Sequence, residues 1–280
     1  MPVDKSNEEI KQAVKKHYAE AITQKNSSCC SPIPVEYDKD AAGRFVKLAG
    51  YSDEEVSEMP EDVTSFGCGN PVSFMDVKKG EVVLDLGSGS GLDLILAANK
   101  VGDEGKVIGL DMTQEMIETC RNNLERAGIK NAELRQGEIE KMPVNDSEVD
   151  WIISNCVINL SPDKKKVFAE AYRVLKPGGQ MMISDIVTLG LPDEYRNDIM
   201  AWVGCIAGAV DEDEYIKLVK DTGFSEVEIK GKMIYNSQSL STLANDACGC
   251  GTDDKAVDKS VVDKYADKVA SVRLYAKKPE

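Results

Sequence analysis

The chain has 280 residues and a formal net charge of −15, from 49 acidic against 34 basic side chains. That balance argues against nucleic acid or an anionic membrane as a partner, because a phosphate-tracking surface needs clustered Lys and Arg, and it disfavours a large anionic substrate. No apolar run is long enough to span a bilayer and no basic-then-apolar leader opens the chain, so a cytoplasmic protein is expected, with length for one large domain or two modest ones.

In chain order, Ser6-Asn7-Glu8-Glu9 reads as a capping box opening a helix whose apolar face carries Ile10, Val14, Tyr18 and Ala21. The only histidine, His17, falls in this helix at an expected solvent-facing or half-buried position. A polar loop from Lys25 to Pro34 holds Cys29 and Cys30, and a second helix is expected over Ala41 to Ala49. Cys68 follows in a glycine-flanked loop, Phe66-Gly67-Cys68-Gly69-Asn70-Pro71. Val82 to Leu86 then reads as a buried strand running into Gly87-Ser88-Gly89-Ser90-Gly91, with a helix from Leu92. A second strand, Val107 to Leu110, ends at Asp111, and a helix carrying Cys120 is expected over Gln114 to Ala127. Short strands come next at Ala132 to Leu134, at Asp150 to Asn155 and, after a helix end at Arg173 to Gly179, at Gln180 to Ile186. Their near-continuous apolar character suits parallel strands covered on both faces. Helices at Asp193 to Trp202 and Glu212 to Asp221, a strand at Val227 to Lys230, a mixed insertion at Asn236 to Lys264 and an antiparallel last strand at Val269 to Ala276 complete the chain. The acidic run Asp211-Glu212-Asp213-Glu214 reads as a helix N-terminus.

The glycine turn carries the chemistry. Glycines let a ligand approach the backbone, and an acid at the end of the second strand can grip a ribose diol or cap the helix after it. Here the pattern is Asp85-Leu86-Gly87-Ser88-Gly89-Ser90-Gly91 rather than G-x-G-x-x-G. An acid ahead of the glycines would repel a pyrophosphate and suits a cationic amino-acid cofactor better.

In this turn, in Gln136-Gly137-Glu138-Ile139-Glu140 after the third strand and in the helix end at Arg173 to Gly179, the chain resembles an S-adenosylmethionine-dependent methyltransferase. The resemblance covers roughly residues 70 to 235. It implies a Rossmann-like α/β fold of class I methyltransferase type: a mostly parallel sheet with an antiparallel last strand and helices on both faces. It divides the chain into an N-terminal helical and cysteine-loop extension (1–70), a cofactor-binding domain (71–188) and a C-terminal region (189–280). By family precedent Asp85, Gly87, Ser88, Gly89 and Gly91 surround the methionine moiety, and Asp111 holds the ribose hydroxyls. Met112 lies against adenine, unless it is ordinary core packing. Gly137, Glu138 and Ile139 meet the base, and Asn155 sits beside the methionine.

Eight cysteines without an export signal are expected to be thiols. None has C-x-x-C zinc spacing, and Cys120 on its helix reads as a small core residue. Cys156 lies at a strand tip, while Cys68 and Cys205 sit in glycine-flanked loops. With Ser154-Asn155-Cys156-Val157-Ile158-Asn159-Leu160 and Gly204-Cys205, these segments resemble the arsenite methyltransferases. The resemblance implies that Cys68, Cys156 and Cys205 bind trivalent arsenic. It also implies that Cys29 or Cys30 joins the thiol chemistry, with thioredoxin or glutathione as reductant. The implied product is a methylated trivalent arsenical and the expected state a monomer. Cys248-Gly249-Cys250 carries no assigned role. Trivalent arsenic is soft and favours thiolates, and a lone-pair nucleophile needs no general base. The alternatives are a small-metabolite C- or O-methyltransferase whose cysteines only pack, and a non-catalytic thiol-based metalloid-binding protein.

Overall fold

The computed structural model describes residues 7–23, 33–34, 49–57, 64–65, 67–191, 208–242 and 259–280. Its centre is a seven-stranded sheet. The strands are β1 (Val82–Leu86), β2 (Lys106–Asp111), β3 (Ala132–Gln136), β4 (Val149–Asn155), β5 (Leu175–Thr188), β6 (Ser225–Ile234) and β7 (Val269–Lys277). In space they run β3-β2-β1-β4-β5-β7-β6. The first five are parallel, and β7 runs antiparallel to both β5 and β6. The Rossmann-like sheet with one reversed strand is thus as the sequence implies.

The main helices are α1 (Asn7–Thr23), α2 (Leu92–Val101), α3 (Gln114–Arg126), α4 (Lys164–Val174), α5 (Glu212–Asp221) and α6 (Lys259–Tyr265). Successive residues of a strand face opposite sides, and the apolar runs of β1, β2 and β4 supply both. Leu84, Leu86, Ile108, Leu110 and Ile152 enter one core with Phe168 of α4 and Tyr215 and Val219 of α5. Val83, Val107, Trp151 and Ile153 enter the other with Leu94, Ile95 and Ala98 of α2 and Cys120 and Leu124 of α3. The edge strand β6 instead alternates half-buried and exposed residues.

Polar contacts fix the starts of the central strands. Asp150 Oδ2 accepts from the Val82 amide at 2.9 Å and from Lys176 Nζ at 2.8 Å, tying β1, β4 and β5 together. Asp211 caps α5 by accepting from the Asp213 amide, as the acidic run implies. Strands β5 and β6 are longer than expected: pairing with β7 carries β6 past its apolar core and β5 to Thr188, while Leu175, expected in a helix end and turn, pairs with Val149 of β4. The expected helix at Asp193 to Trp202 and nearly all of that at Ala41 to Ala49 lie outside the described residues, as does Ser6 of the capping box.

One buried acid lies in the core rather than at the cleft. Asp185 on β5 is fully buried and accepts from Tyr215 Oη at 2.9 Å and from the Ile186 amide at 3.0 Å. Burial pushes its carboxyl up to about 7, opposed by the nearby Lys164 charge and these hydrogen bonds. Stability from such a group is fully present below its ordinary 3.8 and is lost as pH rises through about 7. Asp185→Asn should therefore flatten the fall in urea-unfolding free energy between about pH 4 and pH 7; an unchanged pH slope would show that Asp185 is ionised at no cost.

Candidate functional site

Strand order reverses between β1 and β4, so the connections after these strands diverge and leave a crevice beyond their carboxyl ends. A cleft enclosing about 780 Å³, open solvent included, occupies that place. Gly87 and Gly89 of the turn form one wall, with Asp111 and Met112 at the end of β2. Gly137, Glu138 and Ile139 after β3 form the second wall, and Asn155 and Cys156 at the end of β4 close the inner end. Most of the expected cofactor residues therefore line one cavity.

The turn is built for close approach. The Ser88 amide donates to Leu110 O at 3.0 Å and the Gly89 amide to Asp111 Oδ2 at 3.1 Å, which fastens the turn to the end of β2. A Cβ on Gly89 would meet no protein atom nearer than 3.9 Å, so that position faces open space. Gly91 differs: it opens α2 at φ 98°, and a Cβ there would lie 2.7 Å from Cys120 Sγ. Gly91, Ser88 and Asp85 are not in the cleft wall; they support it from behind. Asp111 lines the cleft where the ribose role is expected, but it is not the helix N-cap, which is Thr113. Its Oδ1 accepts from the Thr113 amide and hydroxyl, each at 2.9 Å, at the start of α3, while the carboxylate lines the cleft.

Negative charge is concentrated beneath this wall. Asp85 is 3% exposed, and no group among the described residues donates a hydrogen bond to it. Burial, then the Asp93 and Asp111 carboxylates, raise its affinity for a proton well above the ordinary range. Asp93, in the first turn of α2, is raised to about 6 by burial, against the lowering effect of hydrogen bonds from Asn155 and Tyr51. An unpartnered buried carboxylate beside an open glycine turn fits a cationic ligand and not a phosphate.

The sequence reading gave α1 no place at the site. Its apolar-face residues Val14 and Tyr18 line the cleft, and Lys11 reaches across to Glu138 at 2.6 Å and Glu140 at 3.4 Å. Glu140 also accepts from Ser161 Oγ at 2.6 Å. An apolar helical face looks alike in sequence whether it covers a core or a ligand. His17 is half-buried on the same helix and is not among the residues lining the cleft.

The cysteines bring the clearest departure. Cys68 and Cys156 are 5% and 3% exposed, and their sulfurs are bonded as a disulfide across 88 residues of sequence. The expectation of free thiols holds for buried Cys120, whose thiol burial pushes up to about 12, and is corrected for this pair. The physical reason is proximity: the Cys68 loop lies directly on the tip of β4, with Cα atoms 6.0 Å apart. Cys156 itself adopts a left-handed backbone, φ 61°, and its amide donates to Ser184 O on β5 at 2.8 Å. Cys29, Cys30, Cys205, Cys248 and Cys250 lie outside the described residues.

Residues 77–223, more than half of the chain, match the family model described as a methyltransferase domain. An arsenite methyltransferase of Halobacterium salinarum is 40% identical over 241 residues, 83% of this chain and 61% of its own length. The human arsenite methyltransferase is 41% identical over 152 residues, 51% of this chain and 40% of its own. This chain thus spans about two fifths to three fifths of the curated relatives it matches. Among solved structures, an arsenic(III) S-adenosylmethionine methyltransferase from Chlamydomonas reinhardtii is 33% identical with a TM-score of 0.62, covering 82% of this chain and 71% of that one.

The open space at Gly89 makes a separable test. Gly89→Ala should leave unfolding free energy within about 1–2 kcal/mol of the parent, the cost of one left-handed alanine, while weakening S-adenosylhomocysteine binding at least about tenfold by calorimetry. Undiminished binding would mean that the ligand does not approach this turn.

Proposed function

We propose, from the premise that the chain belongs to the arsenite methyltransferase family, that it transfers methyl groups from S-adenosylmethionine to trivalent arsenic held by cysteine thiolates. The observation that carries this reading is the meeting of Cys68 and Cys156 at the inner end of the cleft lined by Gly87, Gly89 and Asp111. Two sulfurs at the edge of a site suited to a cationic nucleotide-type ligand are a soft donor pair beside a methyl source.

S-adenosylmethionine supplies, when bound, a methyl group on a positively charged sulfur. Gly87 and Gly89 would meet its methionine part, with Asp85, Ser88 and Gly91 outside the lining, and the buried Asp85 carboxylate would offset that cation. Asp111 would accept from the ribose hydroxyls, its Oδ1 already fixed by Thr113. Met112, Gly137, Glu138 and Ile139 would flank the base, and α1 would exclude water from that side through Val14 and Tyr18.

On the substrate side, Cys68, Cys156 and Cys205 are the three thiolates of this reading. Three sulfur ligands leave arsenic pyramidal, with a lone pair on its open side. That lone pair needs no proton removed, so the chain is required to position the acceptor and to provide no general base. Before the pair can hold arsenic, the Cys68–Cys156 disulfide must gain two electrons and two protons. A thiol reductant of the thioredoxin or glutathione class, in a reducing cytoplasm, would supply them. Cys29 or Cys30 is the further thiol, and detoxification of arsenic is the biological role this chemistry fits. No helix among the described residues is long and apolar enough to cross a membrane.

The test is transfer of isotopically labelled methyl from S-adenosylmethionine to arsenite in the presence of thiol. The parent chain should yield methylated arsenicals, and Cys68→Ser, Cys156→Ser and Cys205→Ser should each lower the rate about a hundredfold or more, as misplaced acceptors do. If the parent forms no methylated arsenical but methylates small organic acceptors, the assignment of the cysteines fails and the methyltransferase fold stands.

A further inference from the structure

The two cysteine segments are joined directly by one side chain, Asn155, while Ser271 Oγ on β7 also holds the loop by donating to Cys68 O at 3.0 Å. Asn155 Oδ1 accepts from the Gly69 amide at 3.2 Å, and Asn155 Nδ2 lies 2.5 Å from Gly69 O. Gly69 follows Cys68 and Asn155 precedes Cys156, so this carboxamide grips the backbone of one cysteine segment from the strand end that bears the other. Asn155 Nδ2 also faces Asp93 Oδ2 at 2.9 Å and Tyr51 Oη at 3.0 Å. A carboxamide nitrogen has only two hydrogens, and here three acceptors surround it. The Tyr51 hydroxyl places its own hydrogen on Asp93 Oδ1, at 2.7 Å, so it too can only accept from Asn155, and the two carboxamide hydrogens are shared among the three acceptors.

Asp93 thus accepts at both oxygens and, with the two Gly69 contacts, fixes which way the carboxamide of Asn155 points. Were that carboxamide reversed, its oxygen would face Asp93 and Gly69 O, and its nitrogen the Gly69 amide. All three contacts would become repulsive. The carboxylate is 8% exposed, in the first turn of α2, where the helix dipole favours negative charge. Nothing in the cleft wall includes it: neither Asp93 nor Tyr51 lines the cavity.

We propose that Asp93 is a positioning residue for the cysteine pair: acting through Asn155, and braced by Tyr51, its carboxylate seats the Cys68 loop on the end of β4 so that Cys68 and Cys156 present their sulfurs together. This takes from the proposed function that these two sulfurs are the working pair. Its test, however, uses neither arsenic nor cofactor, so the two can fail separately.

The full chain is equilibrated in glutathione buffers of graded oxidation, and the Cys68–Cys156 pair is quantified by differential alkylation and peptide mass. In that equilibrium one glutathione disulfide takes two electrons from the pair, the protein S–S bond forms, and two glutathione thiols leave with the two protons. Asp93→Asn keeps the shape but puts an N–H where one acceptor stood. The equilibrium constant for forming the protein disulfide should fall about tenfold, the size of one hydrogen bond to a charged group. Tyr51→Phe, which only removes a hydroxyl, should lower it by a smaller factor and covers the case in which Asp93→Asn folds poorly. Values within twofold of the parent for both variants, with far-ultraviolet dichroism unchanged, would overturn the proposal. So would a loss in Asp93→Asn matched by an equal loss in a core variant remote from the site, such as Val219→Ala.

Discussion

The reversal of strand order between β1 and β4 is the constraint on which the site depends. Chain segments leaving the two strands must part, so their carboxyl ends stay uncovered while their flanks are buried to near zero exposure. Everything with chemical potential gathers there: the glycine turn after β1, Asp111 after β2, Gly137 to Ile139 after β3 and Asn155-Cys156 after β4. The apolar runs of the central strands do not merely stabilise the sheet. By filling both cores they hold the rims of the crevice in fixed register.

Electrostatics gives this crevice its character. Asp85, Asp93 and Asp111 are all buried or nearly so, and burial opposes the charged form of each. Two of them are compensated by donors from the protein itself; among the described residues none donates to Asp85. A buried carboxylate left without a partner is costly, and a cationic ligand at the turn would remove that cost. In the proposed reaction an acid-lined turn and a pair of sulfurs would serve different ends: one would receive a positively charged donor, the other a soft, neutral acceptor. The net acidic chain would not repel either.

Much of this was legible in the sequence because it depends on local pattern. The spacing from the glycine turn to Asp111 and the apolar runs report on single strand–turn–helix units, and the structure repeats them closely. Cys68 and Cys156 were each conspicuous by position, yet no local rule joins residues 88 apart into a disulfide. Tyr51 and Asp93 were missed for the same reason: a tyrosine in an ordinary loop and an acid in a helix's first turn look solvated until tertiary contacts bury them. The glycines of the turn are not alike. Gly89 faces the cleft, whereas Gly91 is required by a left-handed helix start and by the closeness of Cys120. Sequence spacing marks both as glycine and cannot separate a ligand-facing position from a packing one.

The central claim is that Cys68 and Cys156, with Cys205, form a trivalent arsenic site at the end of the cofactor cleft. X-ray absorption of the reduced full chain loaded with one equivalent of arsenite tests it most directly. An arsenic shell made only of sulfur is expected in the parent, reverting to oxygen when Cys68 and Cys156 are both replaced by Ser. An oxygen shell in the parent, or a sulfur shell that survives the double replacement, would contradict it.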